Sequence, residues 1–149
     1  MSSPFPTNMT SAPAKNRFAW VQNDKGVRNV FVAEPGEFRG RQLTNYAGDD
    51  GQELGSIAWS HDGKTIYFVR GGAPNRKGEI PNPTSDPKGA KRQIWRIGFS
   101  GGTPELVGPG SNPAPAPKDG RLLFSNRGSI MIFSEGDSEK PEQLLQSRG

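Results

Sequence analysis

Apolar residues in this chain fall in short alternating runs, separated by glycine, proline and small polar residues. Residues 55–70, GSIAWSHDGKTIYFVR, carry the clearest example. Ile57 and Trp59 alternate with small or polar neighbours, the period-2 signature of a strand. Ser60-His61-Asp62-Gly63 follows as a tight turn, with Gly63 free to take a positive φ. Ile66 and Phe68 then alternate with Thr65 and Tyr67 in a second strand. No stretch of the chain sustains a helical period.

Weaker copies lie on both sides. Strands are expected at 17–21 (RFAWV), 29–34 (NVFVAE) and 41–46 (RQLTNY). Further on they are expected at 93–99 (QIWRIGF), 104–107, 121–125 (RLLFS), 129–135 (SIMIFSE) and 142–146 (EQLLQ). Residues 22–28 read as a turn-rich connection. Residues 71–91 hold four prolines and read as a long irregular loop. Residues 108–118 are rich in proline and glycine and carry no expected strand. Residues 1–14, MSSPFPTNMTSAPA, read as an extended lead-in.

These pieces repeat. Phe18/Trp20, Ile66/Phe68 and Leu122/Phe124 align at spacings of 48 and 56 residues. NVFVAE, QIWRIGF and SIMIFSE align as the strands that follow. In the same alignment Asp119-Gly120 stands with Asp62-Gly63, and Ala116 with Trp59. Roughly 40–50 residues per four-stranded unit marks propeller blades. The expected fold is all-β: a partial β-propeller of about three four-stranded antiparallel blades. The expected spans are 15–54, 55–110 and 111–149, after the lead-in 1–14.

Composition agrees. Only 31% of residues are apolar, while glycine (20) and proline (14) supply turn chemistry for many short strands. The net charge of +4 is dispersed without a block of like charges, which reads as a solvated surface and not a nucleic-acid patch. Without cysteine the chain has no disulfide, thiolate nucleophile or Cys-ligated zinc. No apolar run approaches the roughly 20 residues of a membrane-spanning helix, so no membrane partner is expected. Residues 1–14 lack a hydrophobic signal core, so nothing there would export the chain.

Candidate chemistry is sparse. Gly98-Phe99-Ser100-Gly101-Gly102 fits G-x-S-x-G, but that nucleophile elbow needs a following helix, then Asp and His further along the chain. Ser100 instead leads into Gly-Gly-Thr-Pro-Glu-Leu, and the single histidine, His61, precedes it. His61 reads as a solvated turn residue. Asp49, Asp50 and Glu53 form an acidic cluster, but D-D-G-Q-E is not an EF-hand spacing, and a Ca²⁺ site needs six to eight oxygens. Trp20, Trp59 and Trp95 sit at strand positions and read as blade packing. Asn8-Met9-Thr10 matches a glycosylation sequon of the kind that arises by chance. No catalytic residue, cofactor or metal is expected.

The repeat Trp59-Ser60-His61-Asp62-Gly63-Lys64, with Ile66 and Phe68, resembles the WD40-like blade of TolB-type and prolyl-oligopeptidase-type propellers. In that blade proline is usual where His61 stands. The third unit keeps only Asp119, Gly120, Arg121, Leu122 and Phe124. A wider resemblance covers most of the chain. PFPTNMTSAP…RFAWVQNDKGVRNVFVAE, RQLTNYAGDDGQEL and VRGG…GEIPNPTSDP…QIWRI resemble the N-terminal propeller of bacterial prolyl oligopeptidase-family serine peptidases, similar to dipeptidyl and acylaminoacyl peptidases. In that family the propeller covers an α/β-hydrolase domain and limits access to its serine-protease site. The resemblance implies a non-catalytic, substrate-gating segment, with peptide substrate bound only in the full-length context. The alternative is a stand-alone TolB-like protein-interaction module. Relatives of this kind are often exported.

In an up-and-down blade, alternate connections emerge on alternate faces. Residues 22–28, 49–53 and 71–91 should share one face, opposite Asp62-Gly63 and Gly101-Gly102. That face supplies the candidate partner- or substrate-facing residues: Asn23, Arg28, Asp49, Asp50, Glu53, Arg76, Glu79 and Asp86. Three blades also leave two sheet faces uncovered. Missing blades with a hydrolase domain, or self-association through the open faces into a six-bladed ring, would cover them.

Overall fold

The computed structural model describes residues 5–13, 15–36, 39–47, 53–72, 91–134 and 141–146. Twelve strands and no helix occur among them. The first sheet contains β1 (Phe5–Ser11), β2 (Phe18–Asp24), β3 (Val27–Ala33) and β4 (Arg41–Gln42). The second contains β5 (Leu54–Trp59), β6 (Thr65–Arg70), β7 (Gln93–Gly98) and β8 (Glu105–Pro109). The third contains β9 (Ser111–Pro115), β10 (Arg121–Asn126), β11 (Ser129–Ser134) and β12 (Glu142–Gln146). Each sheet is antiparallel, with strands side by side in chain order. This is the blade repeat expected from the sequence. The first strands touch across blades, β1 against β5 and β5 against β9, so they form the inner edge of the stack.

Packing follows from alternation. In β6, Ile66 and Phe68 point to the first blade, where Ala19, Val21, Val30 and Val32 meet them in one core. Tyr67 and Val69 point the other way, joining Ile94, Leu122, Phe124 and Phe133 in a second core. All four β6 residues are therefore buried, which is why TIYFVR reads as nearly continuous apolar sequence. Each fully buried side chain of this size contributes about 1.5–3 kcal/mol. The flanking blades have one covered face each. In β2, Ala19 and Val21 are buried, while Phe18 is half exposed.

Five local features differ from the sequence reading. Residues 5–11 of the extended lead-in are the inner strand of the first sheet, paired with β2. The connection expected at 22–28 is mostly strand: Asn23 pairs with Arg28 and Asp24 with Val27, leaving only Lys25 (φ 53°) and Gly26 (φ 89°) as a two-residue turn. The strand expected at 41–46 is regular only over Arg41–Gln42. Beyond it the Thr44 hydroxyl accepts the Val30 N–H and donates to Asn29, so side chains replace part of the ladder. The Pro-rich 108–118 contains β9. Proline fits there because the strand bonds only to β10; Ala116 N–H reaches Arg121 C=O, so the adjacent Pro115 nitrogen faces away from the ladder.

The fifth difference is one of register. Ser60 N–H bonds Thr65 C=O, and Ala116 N–H bonds Arg121 C=O, as Ala12 N–H bonds Arg17 C=O. Ala12, Ser60 and Ala116 are thus equivalent. Pro115, not Ala116, matches Trp59, and Asp119 matches Gly63. A residue in left-handed conformation recurs at the same spacing on each inner strand: Asn8 (φ 52°), Ser56 (φ 50°) and Asn112 (φ 55°). Each sits at a register shift, a β-bulge that bends the inner strand.

Candidate interaction surface

The two ends of the strands differ in character. At one end lie the Asp62-Gly63 turn and the β7–β8 turn. In the first, the Ser60 hydroxyl accepts the Thr65 N–H (3.0 Å) and donates to Asp62 Oδ1 (2.6 Å), which also accepts the Lys64 N–H (3.0 Å). The Ser60 bond, then the Lys64 amide, hold the Asp62 carboxyl below its usual range despite partial desolvation. Ala116 has no hydroxyl, so Asp119 caps the third blade instead, accepting Arg121 N–H (2.9 Å) and its guanidinium (2.6 Å). That pairing lowers Asp119 to about 2.

Arginines clasp the blades at this end. Arg17 stacks on the Phe99 ring at 3.9 Å and donates to Gly63 C=O; Arg41 lies 5.0 Å from the same ring and donates to Phe99 C=O. Phe99 also packs against Trp59. Across the other junction, Arg96 lies over Phe133 and pairs with Glu105 at 2.8 Å. The contacts of Arg17, Arg41 and Arg96 with Phe99 and Phe133 join neighbouring blades.

Ser100 is exposed in the β7–β8 turn, and a strand follows it. It therefore lacks the strand–turn–helix setting of a nucleophile elbow. His61 is half-buried in its turn, not fully solvated, and its Nδ1 has no hydrogen-bond partner among the described residues. No group of three or more His, Cys, Asp or Glu among the described residues could hold a metal ion.

The opposite end carries the candidate interaction loops. Asn23 and Arg28 face each other across the β2–β3 hairpin, with Asn23 Oδ1 accepting the Gly26 N–H at 2.8 Å. Glu53 is exposed where the chain enters β5, and its C=O accepts the Gly71 N–H at 2.8 Å. Asp49, Asp50, Arg76, Glu79 and Asp86 lie outside the described residues. The 71–91 loop has a fixed base. Gly71 has φ +111°, and a Cβ there would overlap Lys91 C=O. Arg92 C=O accepts the Gly110 N–H at 3.0 Å. Beneath the loops, Arg70 stacks on Tyr46 at 4.0 Å, and Asn29 bonds the Tyr46 main chain twice.

Reasoning from sequence alone expected two uncovered sheet faces but did not name the residues that line the one on the first blade. Pro6, Met9, Phe18, Trp20 and Ala33 line an open groove there of about 740 Å³. Trp20 stacks on Phe31 beside it. The available signal was the alignment of Phe18 and Trp20 with Ile66 and Phe68, because a position that is core in the second blade has no preceding blade in the first.

No family model matches the chain, and no curated protein is similar to it in sequence. Solved structures do match its fold. The chain is similar to a putative TolB from Agrobacterium tumefaciens, with a TM-score of 0.60 and 16% identity, over 97% of this chain and 50% of that one. It is also similar to a structure from a study of two prolyl endopeptidases and the role of inter-domain dynamics in their catalysis and specificity. Here the TM-score is 0.64 and the identity 15%, over 98% of this chain and 23% of that one. At these identities the likeness is one of fold. The chain spans half of the first structure and about a quarter of the second.

Proposed function

We propose that this chain is a non-catalytic propeller segment of a prolyl oligopeptidase-like serine peptidase, gating substrate access and docking on a hydrolase domain outside this sequence. The observation that carries the reading is the three-blade stack, which resembles a prolyl endopeptidase over nearly its whole length while accounting for only 23% of that protein. The loop motifs add support, because Asn23, Arg28 and Glu53 belong to stretches of sequence that resemble the peptidase family. Rigid blades present loops well for binding. Asp49, Asp50, Arg76, Glu79 and Asp86 belong to the same connections in sequence. Peptide specificity would then arise from these loops and chemistry from the hydrolase.

The downstream coding sequence tests this reading. Further blades followed by a true G-x-S-x-G, then Asp and His, are expected. A stop codon followed by unrelated sequence would refute it. The chain alone should hydrolyse neither peptide nor ester substrates, and labelling of Ser100 by a serine-directed probe would overturn its non-catalytic assignment. In the full-length protein, replacing residues 73–90 with a Gly-Ser linker should change peptide selectivity or domain docking.

A second reading is favoured by the TolB likeness over 97% of the chain. In it the chain is a protein-interaction propeller module with no attached hydrolase. It predicts the opposite downstream result.

A further inference from the structure

The fold gathers cations that lie far apart in the sequence. At the junction of the first and second blades, on the turn end, Arg17 enters β2 and Arg41 opens β4. Both guanidiniums stand on the Phe99 ring of the second blade, Arg17 at 3.9 Å and Arg41 at 5.0 Å from its centroid. Each is pinned by a carbonyl of that blade. Arg17 donates to Gly63 C=O at 2.9 Å, and Arg41 donates to Phe99 C=O at 2.8 Å. Two exposed lysines flank them. Lys15 lies against Gly63, and Lys64 C=O accepts the Phe99 N–H at 2.8 Å. Charge compensation is thin. Glu34 reaches Arg17 only at 3.7 Å, and no carboxylate among the described residues pairs with Arg41. Asp62 is engaged by the Ser60 hydroxyl and the Lys64 amide. A guanidinium carries several N–H donors, and one carbonyl occupies only one of them. Two like charges held on one ring repel, and an anion shared between them relieves that repulsion.

We infer that Arg17 and Arg41 form a carboxylate-binding site, and that it takes an acidic segment of a partner protein, with Lys15 and Lys64 at its margin. A planar guanidinium pairs with a carboxylate through parallel N–H···O bonds and is weakly hydrated, so it gives up water readily for such a partner. The ring contact and the carbonyl bonds fix both groups beforehand, which limits the side-chain entropy lost on binding. The Arg17 side chain is only 20% exposed, so its charge is screened less than that of a free surface cation. The second junction supplies the contrast. Arg96 there also lies over a phenylalanine, Phe133, but it pairs with Glu105 at 2.8 Å, and nearby Arg121 pairs with Asp119 at 2.6 Å. The arginine-on-phenylalanine contact thus occurs twice, and Arg41 is the member that lacks its acid. A nucleic acid fits less well. Phe99 is 5% exposed beneath both arginines and offers no face to a base. Glu34 and Asp62 stand among the cations and oppose a continuous phosphate backbone. The site lies between two blades that this chain contains, at the end opposite the candidate loops, and the inference holds under either functional reading.

Fluorescence anisotropy of a labelled hexaglutamate peptide, titrated with the 149-residue chain at low ionic strength, tests it. Saturable binding of one peptide per chain is expected, weakening as salt is added. Arg17→Gln and Arg41→Gln should each weaken binding about ten-fold, the loss of a charge-assisted pair. Arg41→Lys keeps the charge and loses the fork, so its affinity should fall between those of the parent and Arg41→Gln. Lys64 is exposed and makes its hydrogen bonds through the main chain, so Lys64→Gln spares the fold. It should weaken binding about three-fold, and it carries the test if circular dichroism shows an arginine variant unfolded. Lys118→Gln removes the same charge from an exposed bend before β10 and should leave the affinity unchanged. Affinity that none of the Arg17, Arg41 and Lys64 variants moves overturns the inference. So does an equal loss in Lys118→Gln, which would mean attraction to the overall charge of +4. An oligothymidylate of equal charge, held through the same arginines more tightly than hexaglutamate, would make the ligand a nucleic acid and also overturn it.

Discussion

Single side chains set the turns that keep each blade in register. Ser60 links Asp62 to the start of β6, and Ser60→Ala removes the acceptor for Thr65 N–H. A loss of about 1–2 kcal/mol is expected in urea unfolding, as for a hydrogen-bonded group left unsatisfied. Asp62 is held below its ordinary value, so its contribution is complete above about pH 4 and disappears as pH falls through the folded-state value. Asp62→Asn should therefore flatten the acid limb of a stability profile below about pH 4 and lower stability at neutral pH. Gly71 is a backbone constraint of another kind. Gly71→Ala forces a Cβ onto Lys91 C=O at positive φ, and a loss of about 1–3 kcal/mol should show as a lower thermal midpoint. The first turn was visible in the sequence as Asp62-Gly63, whereas Gly71 was read only as the start of a long irregular loop. The change of capping group, from Ser60 to Asp119, was not visible. It follows from the absence of a hydroxyl at Ala116, which shifts the apparent Asp-Gly alignment by one residue.

At the scale of elements, one repeat position has two fates. Phe68 is fully buried between blades, while Trp20, its equivalent, lies on the open face. Phe68→Ala should cost about 3–5 kcal/mol, the range for a large core truncation. Trp20→Ala should cost well under half of that. Equal costs measured by denaturant unfolding would mean that the two faces are not distinguished as described. Strands with period-2 alternation were legible from sequence, β6 above all, because burial on one or both faces writes itself into residue type. β1 and β9 were not, because inner strands bond on one side, tolerate proline and bulge at Asn8 and Asn112. The tip of the β2–β3 hairpin, 22–28, was read as a connection because the polar Gln22, Asn23, Asp24 and Arg28 carry no apolar alternation even though they pair. Of the candidate interaction residues, Asn23, Arg28 and Glu53 emerge at the expected end of the strands, a placement that follows from strand direction alone.

Across the whole molecule, two inter-blade cores hold the three sheets in series. The loop end and the turn end are separated by the length of the strands, so a change at one should leave the other intact. Ser100→Ala, in the β7–β8 turn, should not alter the thermal midpoint beyond about 0.5 kcal/mol equivalent. Serial stacking is most directly tested by amide hydrogen exchange, resolved by strand, on the 149-residue chain. In this chain β6 and β7 place side chains in both inter-blade cores, while β2 and β10 place them in one. The expected result is slowest exchange in β6, intermediate exchange in β2 and β10, and fastest exchange in the outer strands β4, β8 and β12. Exchange in β6 no slower than in β2 and β10 would contradict a middle blade packed between two others.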